Sequence, residues 1–147
     1  MTVSRLARAY RQEARAAARH MPWVGEMTER QREWFRTHGR QLAERLVLHL
    51  DAPSDDVARE SLDEAARDAE DYGRMAAEMG VSLSQGIEGF LQFRRPFLHQ
   101  LGVFAEQRGL DASATRDLME TTDRAMDRLL VSVMAGHGGY RHEQLQP

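Results

Sequence analysis

The chain reads as an all-α protein, a single bundle of four to five antiparallel helices. Three observations carry that expectation. Apolar residues recur at spacings of three and four along almost the whole sequence. Helix-capping signals divide it into five segments. No stretch shows sustained period-two alternation bounded by turn residues, so no sheet is expected. The short connections favour antiparallel neighbours.

Taken in order, the first segment runs from about Val3 to His20, with Leu6, Tyr10, Ala14 and Ala17 on one stripe. Pro22 and Gly25 interrupt it. Thr28-Glu29-Arg30-Gln31 then reads as a capping box, in which hydroxyl and amide satisfy exposed backbone donors. The helix that follows directs Trp34, Phe35, Leu42, Leu46 and Leu50 inward, and Gly39 in its middle costs stability or permits a close crossing. Pro53 ends it. Ser54-Asp55-Asp56 caps the next helix and places acids at the positive end of its dipole.

That third helix has the most regular pattern: Leu62, Ala65, Ala69, Tyr72, Ala76 and Met79 form a seam of small residues suited to a closely approaching partner helix. Gly80 supplies a left-handed stop. Ser82-Leu83-Ser84-Gln85 is a second capping box, opening a helix with Leu83, Ile87, Phe90, Leu91, Leu98 and Leu101 toward the core. Pro96 inside this pattern predicts a kink near Arg94–Arg95. After Gly109, Asp111 or Ser113 caps the last helix, with Leu118, Ala125, Met126, Leu129 and Val133 in register. The run Gly136-His137-Gly138-Gly139 is expected to end it, which gives one domain over residues 1–136 and a flexible tail over 137–147.

Composition narrows the function classes. At 147 residues, with 41% hydrophobic and 29% charged residues, the chain can bury a core without staples. It has no cysteine, hence no disulfide, thiolate metal site or thiol nucleophile. No apolar run approaches the ~20 residues that cross a bilayer. Met1–His20, with five arginines among alanines, lacks the apolar centre of a secretory signal. A cytoplasmic location without membrane contact is the expectation.

Every basic residue is arginine, which we attribute to the coding bias of a GC-rich genome. Residues 1–50 carry ten arginines against five acids, and residues 51–80 carry ten acids against three arginines. That partition suits two helices of one bundle that attract each other better than a nucleic-acid surface, since the chain as a whole is negative. The row Arg5, Arg8, Arg11, Arg15 and Arg19 is read as a solvated or acid-paired face.

Catalytic machinery is hard to find in the sequence. No serine stands in a Gly-x-Ser-x-Gly elbow. The glycines lack the flanking strand and lysine of a phosphate loop. No Glu-x-x-His pair exists for a carboxylate-bridged metal site. The reading is therefore of a chain without catalytic residues, metal or cofactor. The sharpest ligand alternative is haem, for which an inward histidine could be the proximal ligand. His99, after the Pro96 kink, is the first candidate and His38, one turn after Trp34, the second. Arg94 and Arg95 interrupt an apolar face between Leu91 and Leu98, so Arg94 must snorkel, pair with an acid or hold an anion. Trp34 and Tyr72, amphipathic aromatics in apolar stripes, are possible neighbours at such a ligand or interface site.

The stretch from Tyr72 to Leu83, with Gly80-Val81-Ser82-Leu83 at its turn, and the following Phe90, Arg94, Pro96 and Leu98 resemble the helical N-terminal domain of RsbR-type co-antagonists. That module also precedes bacterial kinases and PucR-like regulators, and is related to globin-like sensors that lack haem. The resemblance implies a non-enzymatic signalling or regulatory input domain, acting as a homodimer or on a protein partner of a signalling pathway. The alternatives are a small-ligand or haem sensor and the ligand-binding part of a transcriptional regulator. The 62–79 seam and the first helix are the expected interface surfaces.

Overall fold

The structure, a computed structural model, describes residues 21–145, with side chains as far as Tyr140, together with Arg8, Gln12 and Arg19. The first expected helix and the arginine row lie mostly outside the described residues. Five helices follow: the short α1 (Pro22–Gly25), α2 (Glu29–Leu50), α3 (Asp55–Glu78), α4 (Leu83–Gln107) and α5 (Ala112–Leu145). No strand occurs among the described residues. The protein is an all-α bundle. Among the described residues, no helix is long and apolar enough to cross a membrane.

Each of the helices α2 to α5 starts where a side chain can satisfy the first backbone donors. The Thr28 hydroxyl accepts from Gln31 N at 3.1 Å while Gln31 Oε1 accepts from Thr28 N at 3.0 Å. Ser82 and Gln85 make the same reciprocal pair at 3.1 and 3.0 Å. Ser54 accepts from Val57 N, and Asp111 from Ala114 N at 2.7 Å. Gly80 and Gly109, at φ of 82° and 64°, take the left-handed conformation that closes α3 and α4.

Glu29, in the first turn of α2, binds Arg36 at 2.8 Å and Arg32 at 3.0 Å. The Arg36 guanidinium, and then that of Arg32, hold its carboxyl below the usual range. Arg32 also donates to the Met27 carbonyl at 2.9 Å, tying α2 back to the turn before it.

The core is assembled from Leu42, Ala43, Leu46 and Val47 of α2, Ala65 and Ala69 of α3, Phe90, Phe93 and Phe97 of α4, and Ala125, Met126, Leu129 and Val133 of α5. The expected core residues Leu42, Leu46, Ala65, Ala69, Ala76, Phe90, Leu101 and the α5 series from Ala125 are buried. Leu91 is not: it is 44% exposed. The phenylalanines at 90, 93 and 97, spaced by three and four, set the rotation of α4, and burying these larger rings turns Leu91 outward. α4 continues through Pro96, itself buried.

α2 and α3 run antiparallel, since Trp34 and Phe35 meet Tyr72 while Arg45 meets Glu64 and Asp68. α4 and α5 are also antiparallel, with Gly102 beside Met119 and Arg94 beside Asp123. The most extensive packing, however, joins α3 to α5. These two run in the same direction, as successive contacts from Asp63–Arg128 to Val81–His137 show. Consecutive α3 and α4 barely touch, although a short turn links them.

Two glycines make the α3–α5 approach possible. A Cβ on Gly73 would lie 2.8 Å from the Val133 carbonyl carbon, and one on Gly136 2.7 Å from that of Glu70. No side chain can yield there, because the opposing atoms are backbone. Gly73 was not among the residues of the seam predicted for α3; of those, Tyr72 packs against α2, and Ala65, Ala69 and Ala76 are consumed by the core rather than left as an interface.

The glycine run 136–139 does not end α5, contrary to the sequence expectation; the helix continues to Leu145. Gly136 is a contact residue of the crossing, and His137 is buried and bonded to Val81. Packing offsets the ~1 kcal/mol per residue by which glycine disfavours a helix. The domain boundary expected at residue 136 falls inside this helix.

Alanine at Gly73 or Gly136 should destabilise the fold by about 1–3 kcal/mol or more, because backbone must move. Gly86, also helical, has nothing within 4 Å of the place a Cβ would take, and its replacement by alanine should stabilise by about 0.5–1 kcal/mol. Urea unfolding of the three variants checks both signs. The Glu29 cluster predicts an acid-dependent contribution. Its folded carboxyl is lowered, so its stabilisation is present above the unfolded value and fades as pH falls through the folded one. Glu29→Gln should therefore reduce stability at neutral pH and narrow its gap from the parent protein under acid.

Candidate functional site

The residues singled out in the sequence fall in two separate places. Trp34 and Tyr72 come together, with ring centroids 5.7 Å apart. Phe35 packs edge-on to both, at 5.1 and 5.2 Å. His38 lies flat on Trp34, 3.8 Å between centroids at 18°. Its Nδ1 donates to the Trp34 carbonyl at 2.8 Å, the i−4 position of its own helix. This half-buried aromatic group occupies the α2–α3 seam, where successive turns of antiparallel helices bring 34, 35 and 38 level with 72.

Arg94 lies elsewhere, on α4 against α5. Its guanidinium donates to Asp123 at 2.8 Å and stands 3.7 Å from Asp127. Of the three roles open to it in the sequence, pairing with acids is the one the structure displays. Arg95, the next residue, turns outward into exposure. The four residues do not form one site.

His99 is exposed on α4, not inward as a proximal haem ligand requires. His38 has one ring nitrogen engaged with its own helix and one ring face against Trp34. Among the described residues, no three His, Asp or Glu side chains gather to hold a metal ion.

Histidines do a different task here. His49 Nδ1 donates to the Ala58 carbonyl at 2.7 Å, fastening the end of α2 to the start of α3. His137 Nε2 donates to the Val81 carbonyl at 2.7 Å and is only 6% exposed. Val81 N in turn bonds to Ala76 O at 2.9 Å, so His137 pins the α3–α4 turn onto α5. The sequence reading missed His137. Its signal was present: residue 137 stands four after Val133, on the continuation of the buried stripe.

Charge pairing between helices follows the partition seen in the sequence at Arg45 and departs from it at Arg128, which lies outside residues 1–50. Arg45 of α2 binds Glu64 at 2.6 Å and Asp68 of α3, and Arg128 of α5 binds Asp63 of α3 at 2.7 Å. These groups are about two-fifths exposed, so each pair contributes well under the ~1.5–3 kcal/mol of one buried core leucine. They orient the helices more than they hold them.

Among the described residues, one buried side-chain polar atom lacks a partner. Trp23 Nε1 is buried with no hydrogen bond, its ring packed over Gly89 at the start of α4.

The surface feature that stands out is on α5. Val131 is 64% exposed and Met134 38%, and Ala135 and Gly138 are exposed beside them. Positions 131, 134, 135 and 138 share one helical face. This is the side of α5 turned away from the core residues 126, 129 and 133. It forms an apolar stripe on the longest helix.

Arg94→Met should leave the protein folded, at a cost of about 1 kcal/mol or less, because its acidic partners are half exposed or more. A double-mutant cycle with Asp123→Asn should return a coupling of similar size. His137→Ala removes a buried donor and leaves the Val81 carbonyl unpaired, for a loss of about 1–3 kcal/mol. Thermal and chemical unfolding measure each.

No protein-family model matches this chain, and no curated protein or solved structure matches it either. The resemblance to RsbR-type domains accordingly rests on the residues quoted for it.

Proposed function

We propose that this chain is a non-enzymatic regulatory module, a signalling input domain that works by protein association through the outward face of α5. The observation that carries the reading is Val131, 64% exposed, with Met134, Ala135 and Gly138 on the same face. Single exposed apolar residues are ordinary, but four on consecutive turns of one helix make a contiguous patch of the kind that marks a contact surface. Its position supports a signalling role. The opposite face of α5 makes the glycine crossing with α3 and the His137 bond to the α3–α4 turn. A partner seated on the stripe would thereby bear on the helix that organises the bundle.

Glutamate at Val131 and Met134 provides the test. Both side chains point to solvent, so the double variant should keep the parent's circular dichroism and unfolding midpoint. It should lose the association that native mass spectrometry and cross-linking in native extract detect for the parent chain. Association that survives both substitutions, or a parent chain that associates with nothing, would defeat the reading. A retained small-molecule mass would instead favour a ligand sensor.

A further inference from the structure

We infer that Met134 is an oxidation site, converted by hydrogen peroxide ahead of the other described methionines, and that its sulfoxide disables the contact face of α5 without unfolding the bundle. The effect on contact rests on the proposed use of that face; the site itself does not.

Sulfur enters this chain only as methionine: there are eight of them and no cysteine. Oxidation of a side-chain sulfur follows its access to solvent. Met21 and Met126 are buried, at 6% and 0%. Met27, Met75, Met79 and Met119 are half-buried, and the Met119 methyl lies beside Gly102 of α4. Met1 lies outside the described residues. Met134, at 38%, is the one described methionine that stands exposed.

The helix itself leaves this thioether uncovered. Side chains on an α-helix lean toward its N-terminus, so the groups able to roof residue 134 stand three and four positions later. His137 is turned inward, with Nε2 on the Val81 carbonyl. Gly138 has no side chain, and a Cβ built there would meet nothing within 4 Å. Open space is left on the C-terminal side of Met134.

The reaction is an oxygen transfer. A sulfur lone pair attacks one peroxide oxygen, the S–O bond forms as the O–O bond breaks, and sulfur gives up two electrons. The departing hydroxide takes the proton of the transferred oxygen and leaves as water. The product places a strong hydrogen-bond acceptor on an apolar stripe, and burying it against a partner without a donor costs binding. Met126, Leu129 and Val133 face the other way, into the core, so the added oxygen at 134 meets water. The same chemistry at Met126 would put a polar atom inside the core.

Peroxide titration of the full 147-residue chain, read by tryptic peptide mass spectrometry, tests the site. Cleavage after Arg128 and Arg141 releases 129–141, in which Met134 is the sole methionine, while Met119 and Met126 fall in separate peptides. Met134 should gain its oxygen several-fold faster than Met119, with Met126 last. Gly138→Leu, which roofs the sulfur, should slow Met134 several-fold and leave the Met119 rate alone. At the one-oxygen stage the unfolding midpoint should equal the parent's. A rate at Met134 no greater than at Met119, or indifferent to Gly138→Leu, would overturn the site.

Association is read on the same samples. Full conversion of 129–141 should weaken it about tenfold. Methionine sulfoxide reductase should restore it. Met134→Leu, compared with its own untreated sample, should show no loss. Association that persists after full conversion, in a protein that loses it on Val131→Glu with Met134→Glu, would overturn the switch. Association that survives the double glutamate variant would instead remove the proposed function, and the switch with it, while the oxidation rates still decide the site.

Discussion

The crossing of α3 and α5 through Gly73 and Gly136 is the constraint on which the remaining packing depends. Two helices joined by a full intervening helix run side by side in one direction, close enough that backbone faces backbone at both glycines. Each glycine forfeits about 1 kcal/mol of helix propensity relative to alanine. Forcing a methyl group into either contact would cost more, so the composition of the seam follows from the distance between the helices and not the reverse. The other helices are arranged around this pair, α2 against α3 and α4 against α5.

Because α3 and α5 take the centre, each outer helix needs only one large apolar stripe. α2 contributes Leu42, Leu46 and Val47, and α4 contributes three phenylalanines. The ion pairs of Arg45, Arg94 and Arg128 bridge neighbouring helices at the edges of these contacts. Being partly exposed, they act on register and direction, while burial of the apolar core, with Leu46, Phe97, Leu101, Met126 and Leu129 at its centre, is the main stabilising contribution. Histidines perform a related task by donating to carbonyls of a neighbouring segment, His49 to Ala58 in the first turn of α3 and His137 to Val81 in the α3–α4 turn.

The candidate site shows how local patterns limit what can be read in advance. Trp34 and Tyr72 were recognisable as amphipathic aromatics on apolar stripes, and antiparallel packing of α2 and α3 does bring them together. Arg94 was recognisable as a charge on an apolar face. Its partners Asp123 and Asp127 lie about thirty residues away on another helix, and no spacing in the sequence pairs them. His99 stood out in the sequence for its place after the Pro96 kink, beside Phe97 and Leu98. Phe93, Phe97 and Leu101 face the core, and residue 99, about half a turn from both Phe97 and Leu101, is set outward by the helical repeat.

By itself the sequence determined the helices and most of their ends. Thr28 with Gln31, Ser82 with Gln85, Ser54, Asp111, Gly80 and Gly109 act within three or four residues of themselves, so their roles are local and legible. It also determined the small-residue seam of α3, since the 3.6-residue repeat is a property of one helix. Tertiary structure alone decided that Tyr72 of that seam would meet α2 and that Gly73 beside it would meet α5. It turned Gly136 from an apparent stop into a crossing contact, buried His137 and left Val131 outside. Those outcomes depend on the separation and rotation of helices about sixty residues apart in the chain, which are settled by the joint packing of all the stripes and not by any one of them.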